Sequence, residues 1–246
     1  MARLENKYLV PVARKEELLN DMMLYLKHDS FSEKRPEKEY TVRSIYLDTS
    51  SLTLYYEKLA GIKIRNKFRI RGYNELTKDS AVFLEIKRKE NNYISKDRAP
   101  MLYSELNYFF DHKDLNKILN HTPEFEKRLT AAKNFIFYLT KDKLNPLINV
   151  VYEREAFECK FGSGLRVTFD MNIRSYLTQT FNNLFDNTEM ELLYPSYFIL
   201  EIKYNSILPS WVPSIINKYS LRKEALSKYA LNIEWHLKNK FLIHPI

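Results

Sequence analysis

Several segments of this chain place charged residues at every second position and large apolar residues between them. Arg65, Lys67, Arg69 and Arg71 interleave with Asn66, Phe68, Ile70 and Gly72. Arg166, Thr168 and Asp170 interleave with Leu165, Val167, Phe169 and Met171. The tetrapeptide Leu-Glu-Ile-Lys occurs twice, as Leu84-Glu85-Ile86-Lys87 and Leu200-Glu201-Ile202-Lys203. Side chains two apart on a strand share a face, so each segment predicts a strand with one charged and one apolar side.

The same reading along the rest of the chain predicts alternating blocks of strands and helices. A strand covers residues 3–10. After Pro11 a helix covers 15–26, with Leu18, Leu19, Met22, Met23 and Leu26 at helical spacing. A polar loop spans 29–38, a strand 40–48 and a short helix 52–59. Residues 62–73 and 81–89 predict a hairpin, with 93–99 as a third strand. Residues 103–139 carry helical periodicity throughout. Strands return at 147–157, 164–174 and 197–205, the first two joined by a hairpin at 160–163. A polar excursion at 179–194 separates the last two, and helices at 213–219 and 223–237 close the chain. No Pro/Gly/Ser linker divides these blocks, so the expectation is one α+β domain over residues 1–246.

Composition narrows the function. Of 246 residues 45% are hydrophobic, enough for a core. Gly occurs only 4 times and no G-x-x-x-x-G-K or G-x-G-x-x-G is present, which argues against a glycine-rich nucleotide loop. The formal net charge of +8 favours an anionic partner. The single cysteine, Cys159, excludes an internal disulfide and a cysteine zinc cluster and reads as structural. No apolar run reaches the roughly 20 residues of a membrane helix, and residues 1–7 lack a signal pattern, so a cytoplasmic protein is expected.

Collected by strand, the charged faces carry Glu5 and Lys7; Ser44, Tyr46 and Asp48; Lys67, Arg69 and Arg71; Glu85, Lys87 and Lys89; Tyr152 and Arg154; Arg166, Thr168 and Asp170; Glu201 and Lys203. If the strands close into a barrel, one set of faces lines its interior. Cations crowded there repel one another unless an anion is bound, and Arg and Lys are suited to phosphate oxygens. By the same repulsion, removing Arg69 or Arg154 is expected to leave the fold intact or slightly more stable. Carboxylates on the same wall suit a hard cation.

At these residues the chain resembles the VTC-type polyphosphate polymerase domains of the triphosphate tunnel metalloenzyme (CYTH-like) superfamily. The resemblance is carried by Glu5-Asn6-Lys7-Tyr8, Ser44-Ile45-Tyr46-Leu47-Asp48, Lys67-Phe68-Arg69-Ile70-Arg71-Gly72-Tyr73, Glu85-Ile86-Lys87, Tyr152-Glu153-Arg154, Leu165 to Asp170, Leu200 to Lys203 and Ser227-Lys228-Tyr229, in that order. It implies a closed antiparallel β-barrel tunnel with helices packed around it. It also implies transfer of the γ-phosphate of ATP to polyphosphate with Mn2+ or Mg2+. Lys7, Arg69, Arg71, Lys87, Arg154 and Arg166 would act on the phosphates. Lys67, Lys89, Tyr152, Lys203, Ser227 and Lys228 would help to bind the substrate. Glu201 would hold the metal, with Glu5, Glu85 and Asp170 as accessory carboxylates. Position 3 is Arg where many tunnel phosphohydrolases carry the first Glu of E-x-E-x-K, which favours the polymerase branch. The membrane helices of the eukaryotic complex have no counterpart in the sequence, so a separate membrane partner is expected.

Two rival functions fit the same residues. One is a metal-dependent tripolyphosphatase or nucleoside triphosphatase; the other is a non-catalytic polyphosphate- or RNA-binding module. No specific nucleic acid is expected, because a strand splits Lys87, Arg88 and Lys89 between two faces. His28, His112, His121, His236 and His244 form no i, i+4 pair and read as surface residues. Trp211 reads as a packing anchor, Tyr55 as core and Tyr56 as rim.

Overall fold

A computed structural model describes residues 4–91, 93–119, 124–187, 190–205 and 207–243. Arg3, His121 and His244 lie outside them. The described strands are β1 (Leu4–Pro11), β2 (Leu26–His28), β3 (Glu39–Asp48), β4 (Ile64–Tyr73), β5 (Ala81–Glu90), β6 (Tyr93–Leu102), β7 (Asn145–Cys159), β8 (Arg166–Leu177), β9 (Glu191–Leu192) and β10 (Tyr197–Tyr204). The described helices are α1 (Lys15–Met23), α2 (Ser30–Glu33), α3 (Thr53–Leu59), α4 (Leu106–His112), α5 (Phe125–Lys141), α6 (Trp211–Lys218) and α7 (Lys228–Ile243). The α+β class holds.

The strands form one large antiparallel sheet, ordered β1-β10-β8-β7-β3-β4-β5-β6, with β2 beside β7 and β9 beside β8. This corrects the expected closed barrel: the order begins at β1 and ends at β6, and the two are not paired with each other. Each end meets a different main-chain segment. Tyr8 of β1 bridges to Lys223, and the Glu224 N–H donates to the Lys7 carbonyl at 2.9 Å. Met101 of β6 bridges to Ile118, and the Leu119 N–H donates to the Pro100 carbonyl at 2.9 Å. Edge groups satisfied in this way have no need of closure.

The chain clusters into two compact units. The first holds residues 1–41, 152–174 and 192–227; the second holds 42–151, 175–191 and 228–246. In the first, Val167, Phe169, Leu200 and Ile202 pack with Leu18 and Met22 of α1 and Val212, Ile215 and Ile216 of α6. In the second, Phe68, Ile70, Leu84 and Ile86 pack with Ala131, Ala132 and Phe135 of α5 and Phe109 and Phe110 of α4. These are the apolar members of the alternating segments, and each fully buried Phe, Leu or Ile contributes roughly 1.5–3 kcal/mol. With the apolar face fixed inward, period two assigns the opposite face to the charges.

Several boundaries differ from the sequence reading for local reasons. Leu26 leaves α1 because its backbone pairs with Cys159, while Tyr25 stacks on Trp211 with ring centroids 4.5 Å apart. The 103–139 block breaks where Lys113 adopts a left-handed φ of 57° and Asp114 accepts a hydrogen bond from the Asn116 N–H at 3.0 Å. The last helix begins at Lys228 rather than 223, because Lys223 and Glu224 are paired along β1. Within the polar excursion, Leu184, Phe185 and Leu193 are buried. Gly72 is the reason Phe185 fits, since a Cβ there would lie 2.8 Å from Phe185 Cζ. Tyr55 is buried and Tyr56 exposed, and Cys159 is a buried free thiol. His236 overturns the surface reading of the histidines: it is 5% exposed, with Nε2 3.0 Å from the Ser175 hydroxyl.

Candidate functional site: two charged strand faces

In the first unit, register places Lys7, Glu201 and Thr168 directly across from one another on β1, β10 and β8. The next row is Glu5, Lys203 and Arg166. Lys7 Nζ lies 3.0 Å from Glu5 Oε1 and donates to the Leu226 carbonyl at 3.2 Å. Lys203 Nζ lies 2.7 Å from Glu201 Oε1.

Arg154 of β7 is the centre of this face. Its Nε and Nη2 donate to the two carboxylate oxygens of Asp170 at 2.6 and 2.8 Å. Nη2 also donates to the Tyr152 hydroxyl at 3.3 Å and lies 3.8 Å from Glu201 Oε2. Burial alone would lower the arginine's pKa, but Asp170, Tyr152 and Glu201 outweigh it and hold the guanidinium well above its usual value. Arg166 is fixed by a partner that sequence reading left in a loop. Its Nη2 donates to Asp29 Oδ2 at 2.7 Å and to the Tyr40 hydroxyl at 3.3 Å. Asp29 is itself anchored, since its Oδ1 accepts from the Phe31 and Ser32 N–H groups that open α2.

In the second unit, the row Tyr46, Arg69, Glu85, Arg98 crosses β3, β4, β5 and β6. Arg69 Nε donates to Glu85 Oε2 at 2.8 Å, with Nη2 2.6 Å from the same oxygen. Arg69 Nη1 donates to the Tyr46 hydroxyl at 3.2 Å. Glu85 Oε1 takes Lys96 at 3.2 Å and Arg98 at 3.1 Å. Glu85 has 0% exposure, and burial would raise its pKa. The cations Arg69, Arg71, Lys96 and Arg98 overcome that and hold it far below the carboxylate range. Arg71 donates to the Ser44 hydroxyl through Nε and Nη2, each at 3.1 Å. The adjoining row is Lys67, Lys87 and Lys96, three lysines opposite one another on adjacent strands. Like charges so placed repel, which a multiply charged anion would relieve. Lys89 stands opposite Arg65 one row further on.

Lys228 and Ser227, at the start of α7, are both buried. Of the residues singled out from sequence, Glu5, Lys7, Tyr152, Arg154, Arg166, Asp170, Glu201 and Lys203 gather on the first face. Lys67, Arg69, Arg71, Glu85 and Lys87 gather on the second. Sequence reasoning missed Lys96, Arg98, Asp29 and Tyr40. The signal for the first two was present: Glu90 pairs with Tyr93 at the end of the β5–β6 ladder, and Asn91 takes a φ of 55°. That hairpin register sets Lys96 against Lys87 and Arg98 against Glu85.

Among the described residues no three His, Cys, Asp or Glu side chains gather into a ready-made metal site. Glu201 nevertheless faces Thr168, whose buried Oγ1 has no hydrogen-bond partner. One carboxylate and one hydroxyl are a donor set that fits a hydrated Mg2+ or Mn2+ completed by ligand oxygens. A cavity of about 500 Å³ between α1 and α6 is lined by Arg14, Glu17, Asn20, Asp21, Lys218 and Tyr219 and includes none of the strand-borne charges. No described helix is long and apolar enough to cross a membrane.

A family model described as VTC domain matches residues 2–235. The chain is 23% identical over 253 residues to vacuolar transporter chaperone complex subunit 4 of Schizosaccharomyces pombe, covering 86% of this chain and 34% of the relative. It is 21% identical over 220 residues to the subunit of the same name in Trypanosoma brucei brucei, covering 78% of this chain and 28% of the relative. The chain thus spans about a third of the length of the curated relatives it matches. A solved Pyrococcus horikoshii OT3 protein aligns with a TM-score of 0.47 and 13% identity over 94% of this chain and 98% of that one.

Proposed function

The chain belongs to the VTC-domain family, and on that premise we propose that it transfers the γ-phosphate of ATP to the end of a growing polyphosphate chain. The observation that carries the proposal is the paired holding of Arg154 and Arg69. Each is seated on a carboxylate of the neighbouring strand and on a tyrosine hydroxyl. Guanidinium groups fixed before the ligand arrives stabilise charge without reorganising at the moment of reaction.

In this reaction a terminal phosphate oxygen of the chain attacks the γ-phosphorus. The bond from that phosphorus to the β–γ bridging oxygen breaks, and ADP leaves with the electron pair. The nucleophile belongs to the acceptor, so no side-chain nucleophile is needed. On the first face Arg154 and Arg166 supply positive charge to any phosphate oxygens bound there; on the second, Arg69, Arg71 and the Lys67–Lys87–Lys96 row do the same for oxygens bound to that face. Glu201 and Thr168 would hold the Mn2+ or Mg2+, which when bound neutralises phosphate charge. Asp170 and Glu85 orient arginines in this scheme rather than holding metal, because both oxygens of each lie within 3.2 Å of a cationic nitrogen, whereas Glu201 meets Lys203 through Oε1 and its Oε2 lies 3.8 Å from Arg154. The relatives' names also support a place within a larger complex, with a separate protein supplying any membrane path.

Incubation with ATP and Mn2+ followed by gel electrophoresis tests the reading. Long polymer is expected. Orthophosphate alone would indicate the hydrolase of the rival reading, and binding of polyphosphate with no turnover would indicate the binding module.

A further inference from the structure

On β3, two hydroxyls two residues apart face the arginines of β4. Ser44 lies opposite Arg71 and Tyr46 opposite Arg69. Each hydroxyl accepts from its arginine: Ser44 Oγ at 3.1 Å from both Nε and Nη2, and Tyr46 Oη at 3.2 Å from Nη1. A hydroxyl also carries one hydrogen to donate. Neither Ser44 nor Tyr46 donates that hydrogen to any described residue. Both are buried, at 0% and 5% exposure. Nearby Tyr229, whose ring lies 5.3 Å from that of Tyr46, shows the contrast, since its hydroxyl donates to Asp48.

A buried O–H without an acceptor costs about as much as a lost hydrogen bond. The groups facing Tyr46 cannot provide one: Arg69 and Arg71 from β4 and Lys228 from α7 are donors only, and Glu85 is occupied behind Arg69. Two donors set among cations lack only an anion with several acceptor oxygens.

We propose that the Tyr46 hydroxyl, with Ser44 beside it, donates a hydrogen bond to a non-bridging oxygen of a bound phosphate chain. The ligand class rests on the reading of these faces as a phosphate site. The role of Tyr46 is to bind: Arg69 holds the phenol oxygen by donating to it, and the phenol's own hydrogen is left for the ligand. Protonation is essential to this role, because a phenolate would have nothing to donate and would repel phosphate. Burial pushes the Tyr46 pKa up, but Arg69, Arg71 and Lys228 more than offset this and bring it below the ordinary tyrosine value. An anion bound against the hydroxyl would restore the proton's hold.

The test uses inorganic tripolyphosphate without metal or nucleotide. Calorimetric titration of Tyr46→Phe, which removes one oxygen, should show affinity at least about tenfold weaker than wild type. Ser44→Ala should weaken it in the same direction. Wild-type affinity should fall as pH rises through the Tyr46 ionisation, and Tyr46→Phe should lack that fall. The difference in absorbance at 295 nm between wild type and Tyr46→Phe isolates one of the 18 tyrosines, and its tyrosinate transition should move to higher pH when tripolyphosphate is present. Affinity within twofold of wild type in Tyr46→Phe, or a transition that ignores the ligand, overturns the proposal. If wild type binds no tripolyphosphate, the phosphate-site reading falls with it. If wild type binds tripolyphosphate but makes no polymer, only the polymerase reading falls.

Discussion

Arg154 and Asp170 lie sixteen residues apart in sequence and meet through two hydrogen bonds, at 2.6 and 2.8 Å, with the carboxylate fully buried. Arg69 and Glu85 repeat the spacing and the partnership on the other face. The cations of this protein are therefore held in counter-ion seats, and that changes what their removal does.

Arg154→Ala should destabilise the fold by about 3–5 kcal/mol, because it strands the Asp170 charge in a buried place. Repulsion among cations, the argument available from sequence, gives the opposite sign. Urea unfolding of Arg154→Ala beside Arg154→Ala/Asp170→Asn decides it: the double variant should recover much of the loss.

Glu85 ties acid stability to its cluster. Its folded pKa lies below its unfolded value near 4.5. The stability it contributes is therefore complete above that value and lost as pH falls below it toward the folded pKa. Glu85→Gln should be less stable than wild type by about 3 kcal/mol at neutral pH. The gap between the two should narrow as pH is lowered from 5 toward 2 (about the span of a carboxylate titration) in melts across that range.

The twin tetrapeptides should part company in metal dependence. Glu201→Gln should raise the Mn2+ needed for half-maximal turnover at least about tenfold, and Thr168→Val should raise it in the same direction. Glu85→Gln should leave the requirement unchanged, since its oxygens serve Arg69, Lys96 and Arg98. Turnover measured across a Mn2+ titration reads all three variants.

Tripolyphosphate should raise the wild-type melting temperature. At a hundred times its dissociation constant a ligand adds about 2.7 kcal/mol. Lys96→Ala should gain less, because one member of the three-lysine row is gone. Equal gains would place the anion away from β6.

Gly72→Ala tests packing alone. The new methyl would sit 2.8 Å from Phe185 Cζ and 3.2 Å from Leu184 Cδ2. A loss of about 1–3 kcal/mol is expected in thermal or chemical unfolding.

Period-two alternation made the inward and outward faces of β4, β5, β8 and β10 legible, because an apolar face admits only one parity. Helical spacing likewise located α1, α5 and α6. What stayed hidden depended on distant partners. Lys96 and Arg98 become site residues only through the hairpin register, and Asp29 only through Arg166. His236 is buried because Ser175, far away in sequence, receives it. Closure was misread for the same reason: alternation says which way side chains point but not what lies beside the last strand. The answers there, Lys223 beside Tyr8 and Ile118 beside Met101, carry no strand pattern.

Those two borrowed segments also govern how copies of this chain treat one another. A sheet with ends offers each end as a template on which a second copy can stack, and growth of that kind has no natural stop. Here the Lys223–Glu224 and Ile118–Leu119 backbones sit where a foreign strand would dock, and the stretch of β6 left beyond them presents Lys96, Asp97 and Arg98. Peeling either segment away, by a proline at Glu224 or Leu119, would leave a strand edge open to pairing with a second copy.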